Sequence, residues 1–166
     1  FGLPGYPTSA LMIFDIFVAP IVRTMAGLSA EIERKVVEAK AAQRIFSSGG
    51  RHEYVPVNLV KTETGEYTTY PVAGDSGAIT TVAEADGFIE IPEDRAFIEE
   101  AETVKVRLFS PELKPADLMI IGSHCIGVDL ILDRVRRLHP GLHAKVMNVG
   151  SSGGLAALRR GEADIA

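Results

Sequence analysis

Glu53-Tyr54-Val55-Pro56-Val57-Asn58-Leu59-Val60 and Thr103-Val104-Lys105-Val106-Arg107-Leu108 decide how the chain is read. Val55, Val57 and Leu59 alternate with Tyr54, Pro56 and Asn58, and Val104, Val106 and Leu108 alternate with Thr103, Lys105 and Arg107. A strand sends successive side chains to opposite faces, so this spacing predicts half-buried antiparallel strands. Thr64-Gly65-Glu66 reads as a tight turn before Tyr67-Thr68-Thr69-Tyr70, with further turns at Ser47-Ser48-Gly49-Gly50 and around Pro92-Glu93-Asp94. Short strands divided by such turns suggest a small barrel or sandwich. Glu31 to Phe46 favours helix by composition, yet a strand ending at the Ser-Ser-Gly-Gly turn would pair naturally with Glu53 to Val60, and strand is assigned to its second half.

On the N-terminal side, Ala10-Leu11-Met12-Ile13-Phe14-Asp15-Ile16-Phe17-Val18-Ala19 is apolar almost all round, which predicts a helix buried on most sides from Pro7 to about Leu28. Pro7 suits a first helical turn and Thr8 and Ser9 can satisfy its exposed amides, while Pro20 should kink the helix and Gly27 should stop it. On the C-terminal side, Asp117-Leu118-Met119-Ile120-Ile121 reads as a buried strand, Gly122-Ser123-His124-Cys125 as a loop, and Ile126 to His139 as an amphipathic helix ended by Pro140-Gly141. A strand at Ala144 to Val149, a loop at Gly150-Ser151-Ser152-Gly153-Gly154, a helix from Leu155 to Arg160 and a strand beginning at the chain end complete a βαβαβ run with a parallel sheet. The expected fold class is therefore an α/β fragment: a buried helix, a small antiparallel β unit, then a parallel half-lobe.

The totals exclude several classes. With 166 residues, 46% hydrophobic, and 17 Lys+Arg against 22 Asp+Glu for a net charge of -5, the chain is ordinary globular protein. The longest apolar run is broken by Asp15 and Pro20, against a membrane span, and the negative charge argues against a nucleic-acid backbone as partner. One cysteine makes no internal disulfide, so a cytoplasmic location is expected. The opening Phe1-Gly2-Leu3-Pro4 lacks an initiator Met and a signal-peptide layout, and the chain is expected to be a piece of a longer protein.

Gly2-Leu3-Pro4-Gly5-Tyr6-Pro7-Thr8-Ser9 is the most specific string. Two prolines fix the backbone, Gly5 permits close approach, and the loop feeds a helix N-terminus carrying two hydroxyls, a corner suited to an anion. The plainer reading is a rigid helix entry with a hydroxyl cap.

That string continued to Leu11, followed by Gly50-Arg51-His52-Glu53-Tyr54, Gly74-Asp75-Ser76-Gly77 and Ala85-Asp86-Gly87-Phe88-Ile89-Glu90-Ile91-Pro92, resembles in order the closing part of the molybdopterin molybdenumtransferase family, called MoeA in bacteria and archaea and including gephyrin among eukaryotic relatives. The resemblance covers residues 1 to about 110. It implies that residues 1–29 end the family's α/β domain and that 30–112 form its C-terminal β-barrel. It further implies insertion of molybdate into adenylylated molybdopterin, with Mg²⁺ and release of AMP. On this resemblance Pro4, Gly5, Tyr6, Pro7 and Ser9 line the substrate cleft, and Arg51 and Ser76 are brought to it by the barrel. Arg51 with two hydroxyls suits a tetrahedral dianion. No metal ligand and no catalytic residue is assigned within the chain, the family's acidic Mg²⁺ ligands lying upstream, and a homodimer is implied with the barrel of one subunit facing the α/β domain of the other. Tyr6 and Thr8 stand where many members have Asn and Val, leaving molybdate and tungstate both open.

Residues 113–166 resemble the first lobe of a periplasmic-binding-protein-like domain, which some insertases carry as a C-terminal fusion. Both of its loops leave the carboxyl ends of parallel strands, where open α/β sheets bind ligands, and Ser123, Ser151 and Ser152 are candidate anion donors or simple helix caps. Neither loop completes a Walker motif. Gly74-Asp75-Ser76-Gly77 echoes a serine-protease nucleophile string, but only His52 precedes it as a base. His124-Cys125 lacks the spaced partners of a zinc site, and Arg134-Val135-Arg136-Arg137 reads as a solvated helix end. The alternative function is a module that binds or senses molybdate, tungstate or a pterin without insertase activity; a ligand-binding transcription regulator lacks any DNA-reading helix or basic patch.

Overall fold

The structure is a computed structural model describing residues 1–31, 33–72, 85–113 and 115–166. It divides into two compact units, Phe1–Leu59 with Thr69–Leu113, and Val60–Thr68 with Lys114–Ala166.

Seven strands follow the N-terminal helix, the end of β3 and the start of β4 being counted with the second unit: β1 (Val36–Ala41), β2 (Ile45–Phe46), β3 (Glu53–Lys61), β4 (Tyr67–Pro71), β5 (Gly87–Ile91), β6 (Phe97–Ile98) and β7 (Thr103–Leu108). Five of them close into a barrel in the order β1-β4-β3-β5-β7. β1 pairs antiparallel with β7, Val37 opposite Val106, and β3 pairs antiparallel with β5, Val55 opposite Ile89. The period-two reading of β7 holds along its length, with Val104, Val106 and Leu108 buried and Thr103, Lys105 and Arg107 exposed. With Val57, Ile89 and Ile91 these residues form an apolar core, and closure leaves the ladder without exposed edges. Gly87 makes the β5–β7 approach possible, because a Cβ there would lie 2.3 Å from the Arg107 carbonyl oxygen.

The pairing expected for Glu31 to Phe46 is corrected. Strand is present, but β1 starts at Val36 and lies between β7 and β4, while β2 pairs with β6, Ile45 opposite Ile98. Neither pairs with β3. Closure is the reason: Ala41 N–H donates to Glu102 and Ala42 N–H to Thr69, and the Ser47–Gly50 turn is tied to 93–96 by Ser47 N–H to Ala96 and Gly50 N–H to Glu93.

Before the barrel, α1 (Pro7–Ile13), a π-helical turn (Phe14–Val18) and α2 (Ala19–Met25) form one continuous helix. The wide turn answers Pro20, which has no N–H and whose ring crowds the carbonyl one turn back; Ala19 N–H bonds Phe14, five residues earlier. Gly27, at φ +75°, ends the helix as expected. One expectation fails. The helix is not buried on most sides: Thr8, Met12 and Val18 are buried while Leu11, Phe14, Phe17, Ile21, Val22 and Met25 are exposed, because the barrel meets one side of the helix. Pro7, Thr8 and Ser9 lie in the first turn as expected, and the hydroxyl cap of the plainer reading is corrected only in that the N-cap residue is Tyr6, which makes no side-chain capping bond. By length and composition alone Pro7–Met25 is long and apolar enough to cross a membrane.

The second unit contains β8 (Leu118–Gly122), α3 (Ile126–Leu138), β9 (Ala144–Asn148) and α4 (Gly150–Arg159). β8 and β9 are parallel, Ile120 opposite Val146, and Ile120 also bridges Ile165 in parallel, so the expected βαβαβ order is present. The loop expected over Gly150–Gly154 is corrected: α4 begins at Gly150. Gly154 serves packing, since a Cβ there would lie 2.4 Å from the Ile121 carbonyl oxygen, whereas a Cβ at Gly150 would meet nothing within 4 Å.

Candidate functional site

Residues 1–6 are exposed, with Tyr6 63% accessible; Pro7 is the first helical residue and Ser9 is half-buried in the first turn. A Cβ built on Gly2 or Gly5 meets nothing within 4 Å, so the loop presents open backbone to whatever approaches it. The first turn of a helix leaves N–H groups without intrahelical acceptors, and its dipole favours an anion there. Pro4, Gly5, Tyr6, Pro7 and Ser9 are thus gathered on one corner by chain continuity.

Arg51 sits where the 47–50 turn enters β3, its side chain 68% exposed and 3.5 Å from the Glu53 carboxylate. Glu53 organises this turn, accepting from Ser48 N–H at 3.3 Å. Desolvation raises the Glu53 carboxyl, but hydrogen bonds from Ser48 and Ser47 and the charge of Arg51 outweigh it and hold the group below its ordinary value. Sequence reasoning missed Glu53; the signal was a carboxylate placed directly after a Ser-Ser-Gly-Gly turn and Arg51. Arg51's ion pair is local to its own turn, and Ser76 lies outside the described residues.

The tail serines do meet in part. Ser123, after β8, and Ser151, in the first turn of α4, share a hydrogen bond of 2.7 Å, with exposed Ser152 next to Ser151. Beside them His124 Nε2 lies 2.9 Å from Asp129, which places that imidazole in a local pair, and exposed Cys125 is the N-cap of α3. The carboxyl ends of the two parallel strands thus carry a polar corner of hydroxyls.

A crevice that the sequence reading did not foresee lies between the helix and the barrel, about 260 Å³, lined by Asp15, Ile16, Pro20, Arg34, Tyr54, Phe88, Glu90 and Arg107 among others. Asp15 pairs with Arg34, and Glu90 with Arg107 at 2.7 Å and His52 at 3.3 Å. Tyr54 stands edge-on to both Phe17 and Phe88, and burial, then the Glu90 carboxylate, push its phenol above its ordinary value, keeping it neutral. The signals were Asp15 interrupting an apolar run and Tyr54 on the polar face of an alternating strand. Among the described residues no group of three or more His, Cys, Asp or Glu is placed to hold a metal ion.

Comparison with known proteins bears on the barrel. Molybdopterin molybdenumtransferase 1 of Mycobacterium tuberculosis is 32% identical over 111 residues, 64% of this chain and 26% of that protein. The molybdopterin molybdenumtransferase of a Nostoc species is 29% identical over 107 residues, 63% of this chain and 24% of that protein. A crystal structure of a molybdopterin biosynthesis MoeA protein from Pyrococcus horikoshii superposes with a TM-score of 0.51 at 39% identity, over 66% of this chain and 26% of that one. The chain therefore spans about a quarter of the length of these relatives. Residues 38–109, from within β1 to just past β7, match the family described as the MoeA C-terminal region (domain IV).

Proposed function

We propose that the chain is the closing part of a molybdopterin molybdenumtransferase, an enzyme of molybdenum cofactor biosynthesis, joined to the start of a binding-protein-like lobe. What carries the reading is the pairing of a closed barrel matching the MoeA C-terminal region with an open, proline-bracketed loop at the head of the preceding helix. In this reading the parent inserts molybdate into adenylylated molybdopterin and releases AMP, working as a cytoplasmic homodimer. The Pro4–Pro7 backbone holds its shape without reorganisation, and the Ser9 hydroxyl with the first-turn amides donates hydrogen bonds to an oxyanion. Arg51 brings a permanent, planar cation that neutralises a dianion through two parallel bonds. Because Arg51 is exposed and its ion pair among the described residues is with Glu53 of its own turn, it can reach a substrate held by the other subunit's loop, with Ser76 as the expected second donor. The described residues do not fit Mg²⁺, so its ligands are assigned to other parts of the parent and no step here runs through it.

The 2.7 Å bond between Ser123 and Ser151 favours a second reading, in which the tail binds molybdate, tungstate or a pterin. The full-length protein, supplied with adenylylated molybdopterin, molybdate and Mg²⁺, is expected to release AMP; oxyanion binding without AMP release overturns the enzyme reading in favour of the module. Arg51→Ala is expected to weaken molybdate binding about tenfold, as loss of a charge-assisted bidentate contact does, and more than Ser123→Ala. The reverse order supports the tail as the oxyanion site.

A further inference from the structure

The charged groups at the centre of the helix–barrel crevice are paired with one another, which describes a fastening better than an empty ligand site. Arg34, whose side chain is 14% exposed, reaches three things at once. Its Nη2 donates to Asp15 of the π-helical turn, its Nη1 makes a long bond of 3.4 Å to the Leu108 carbonyl at the end of β7, and its guanidinium lies 5.9 Å from the centre of the Phe88 ring on β5. Asp15 is 35% exposed, and a further cross-seam contact is the edge of Phe17 on Tyr54, ring centres 6.2 Å apart. Both Asp15 and Phe17 belong to the π-helical turn, and Asp15, Ile16 and Pro20 all border the crevice. A five-residue separation such as Asp15 to Pro20 shares one side of a helix only where the turn is widened.

We propose that Asp15 and Arg34 form a clasp that sets the angle of the loop-bearing helix on the barrel, with the π-helical turn as the part that receives it. The clasp ties the Pro4–Ser9 corner at one end of the helix to the barrel, where Arg51 stands in the turn that enters β3. Arg34 is a positioning residue: it touches no substrate group and acts through the helix. A fork of five donors is required to serve Asp15 and Leu108 together, so lysine is not an equivalent. The consequence for catalysis rests on the insertase reading; the clasp itself does not.

The test is a double-mutant cycle on Asp15→Asn and Arg34→Gln, with Arg34→Lys as a milder variant and Arg44→Gln as a control. Arg44 pairs with Glu99 on the same unit and does not touch the helix. Each variant is first checked for a native circular dichroism spectrum. Amide hydrogen exchange over residues 14–25 is expected to quicken roughly three- to tenfold in either single variant, between the values for exposed and buried ion pairs, and no further in the double variant. Arg34→Lys is expected to fall between, and Arg44→Gln to leave these amides unchanged. Full-length enzyme bearing the same changes is expected to lose kcat with KM for molybdate little altered, as misorientation does. Unchanged exchange in both singles, or additive effects in the double variant, overturns the clasp. If wild-type enzyme releases no AMP the insertase reading falls, and the exchange cycle still decides the clasp.

Discussion

The barrel and the tail solve the same problem in different ways. Along β7 burial alternates residue by residue, whereas β8 grades from half-buried at Leu118 to buried at Gly122 with no alternation. A closed sheet has one inner face and no free edge, and β7, solvated on its outer face, keeps the period of two, while β3 and β5 are covered on both faces over part of their length and do not. A parallel sheet expects helices on both faces, and its strands are apolar throughout. In the tail α3 buries only Leu132 while Ile126, Leu130, Ile131 and Leu138 are exposed, so its sheet layer is only partly covered by the elements present. The difference shows that alternation marks a strand with one solvated face, and that a graded pattern marks one whose cover changes along its length.

That contrast is broken most forcefully at two glycines that play the same steric part in each unit. Gly87→Ala forces a Cβ against the Arg107 backbone and is expected to cost about 3 kcal/mol in chemical denaturation, near the upper end for overpacking. Gly154→Ala meets the Ile121 backbone and should cost a similar amount. Hydrogen exchange then separates the regions: Gly87→Ala should open β5 and β7, and Gly154→Ala should open β8, α4 and the Val60–Thr68 hairpin, which belongs to the tail's unit. One cooperative transition in both variants would abolish the distinction between the units.

A smaller effect of opposite sign is expected at Ala101, which holds φ +64° in the turn before β7. Ala101→Gly removes left-handed strain but frees the unfolded chain, so a net gain of about 0.5 kcal/mol in thermal melting is expected. The smallest effect concerns pH. Glu53 has its folded value depressed below 4.5, so its contribution is present above the unfolded value and is lost as pH falls through the folded one. Stability of the wild type should therefore fall more steeply below about pH 4.5 than that of Glu53→Gln, measured by denaturation at stepped pH. Equal acid limbs in the two proteins would remove Glu53 as the organiser of the turn.

Much of the architecture was legible in advance. The period of two in β7, the stop at Gly27 and the βαβαβ order rest on local rules and are present in the structure, whereas β3 is strand without the expected alternation: Glu53–Pro56 are half-buried and Val57–Val60 all buried, because its second half is covered on both faces. Pairing partners were not legible, since Ile45 and Phe46 answer to β6 by way of barrel closure, a constraint no window of sequence contains. The candidate site divides likewise. Residues 4–9 share a corner because they are contiguous, and Ser123 meets Ser151 because parallel strands align their carboxyl ends. Glu53 and the Asp15–Arg34 clasp escaped because each depends on contact across elements.

By itself the sequence determined where the N-terminal helix, β7, β8 and β9 lie and where Gly27 stops the helix, because those properties follow from periodicity and from the allowed backbone angles of single residues. Only the tertiary structure decided that β1 seals the barrel between β7 and β4, that the Gly150–Gly154 segment belongs to a helix packed on Ile121, and that Arg34 fastens the helix by Asp15, because each arises from groups brought together by folding across distances that no local rule spans.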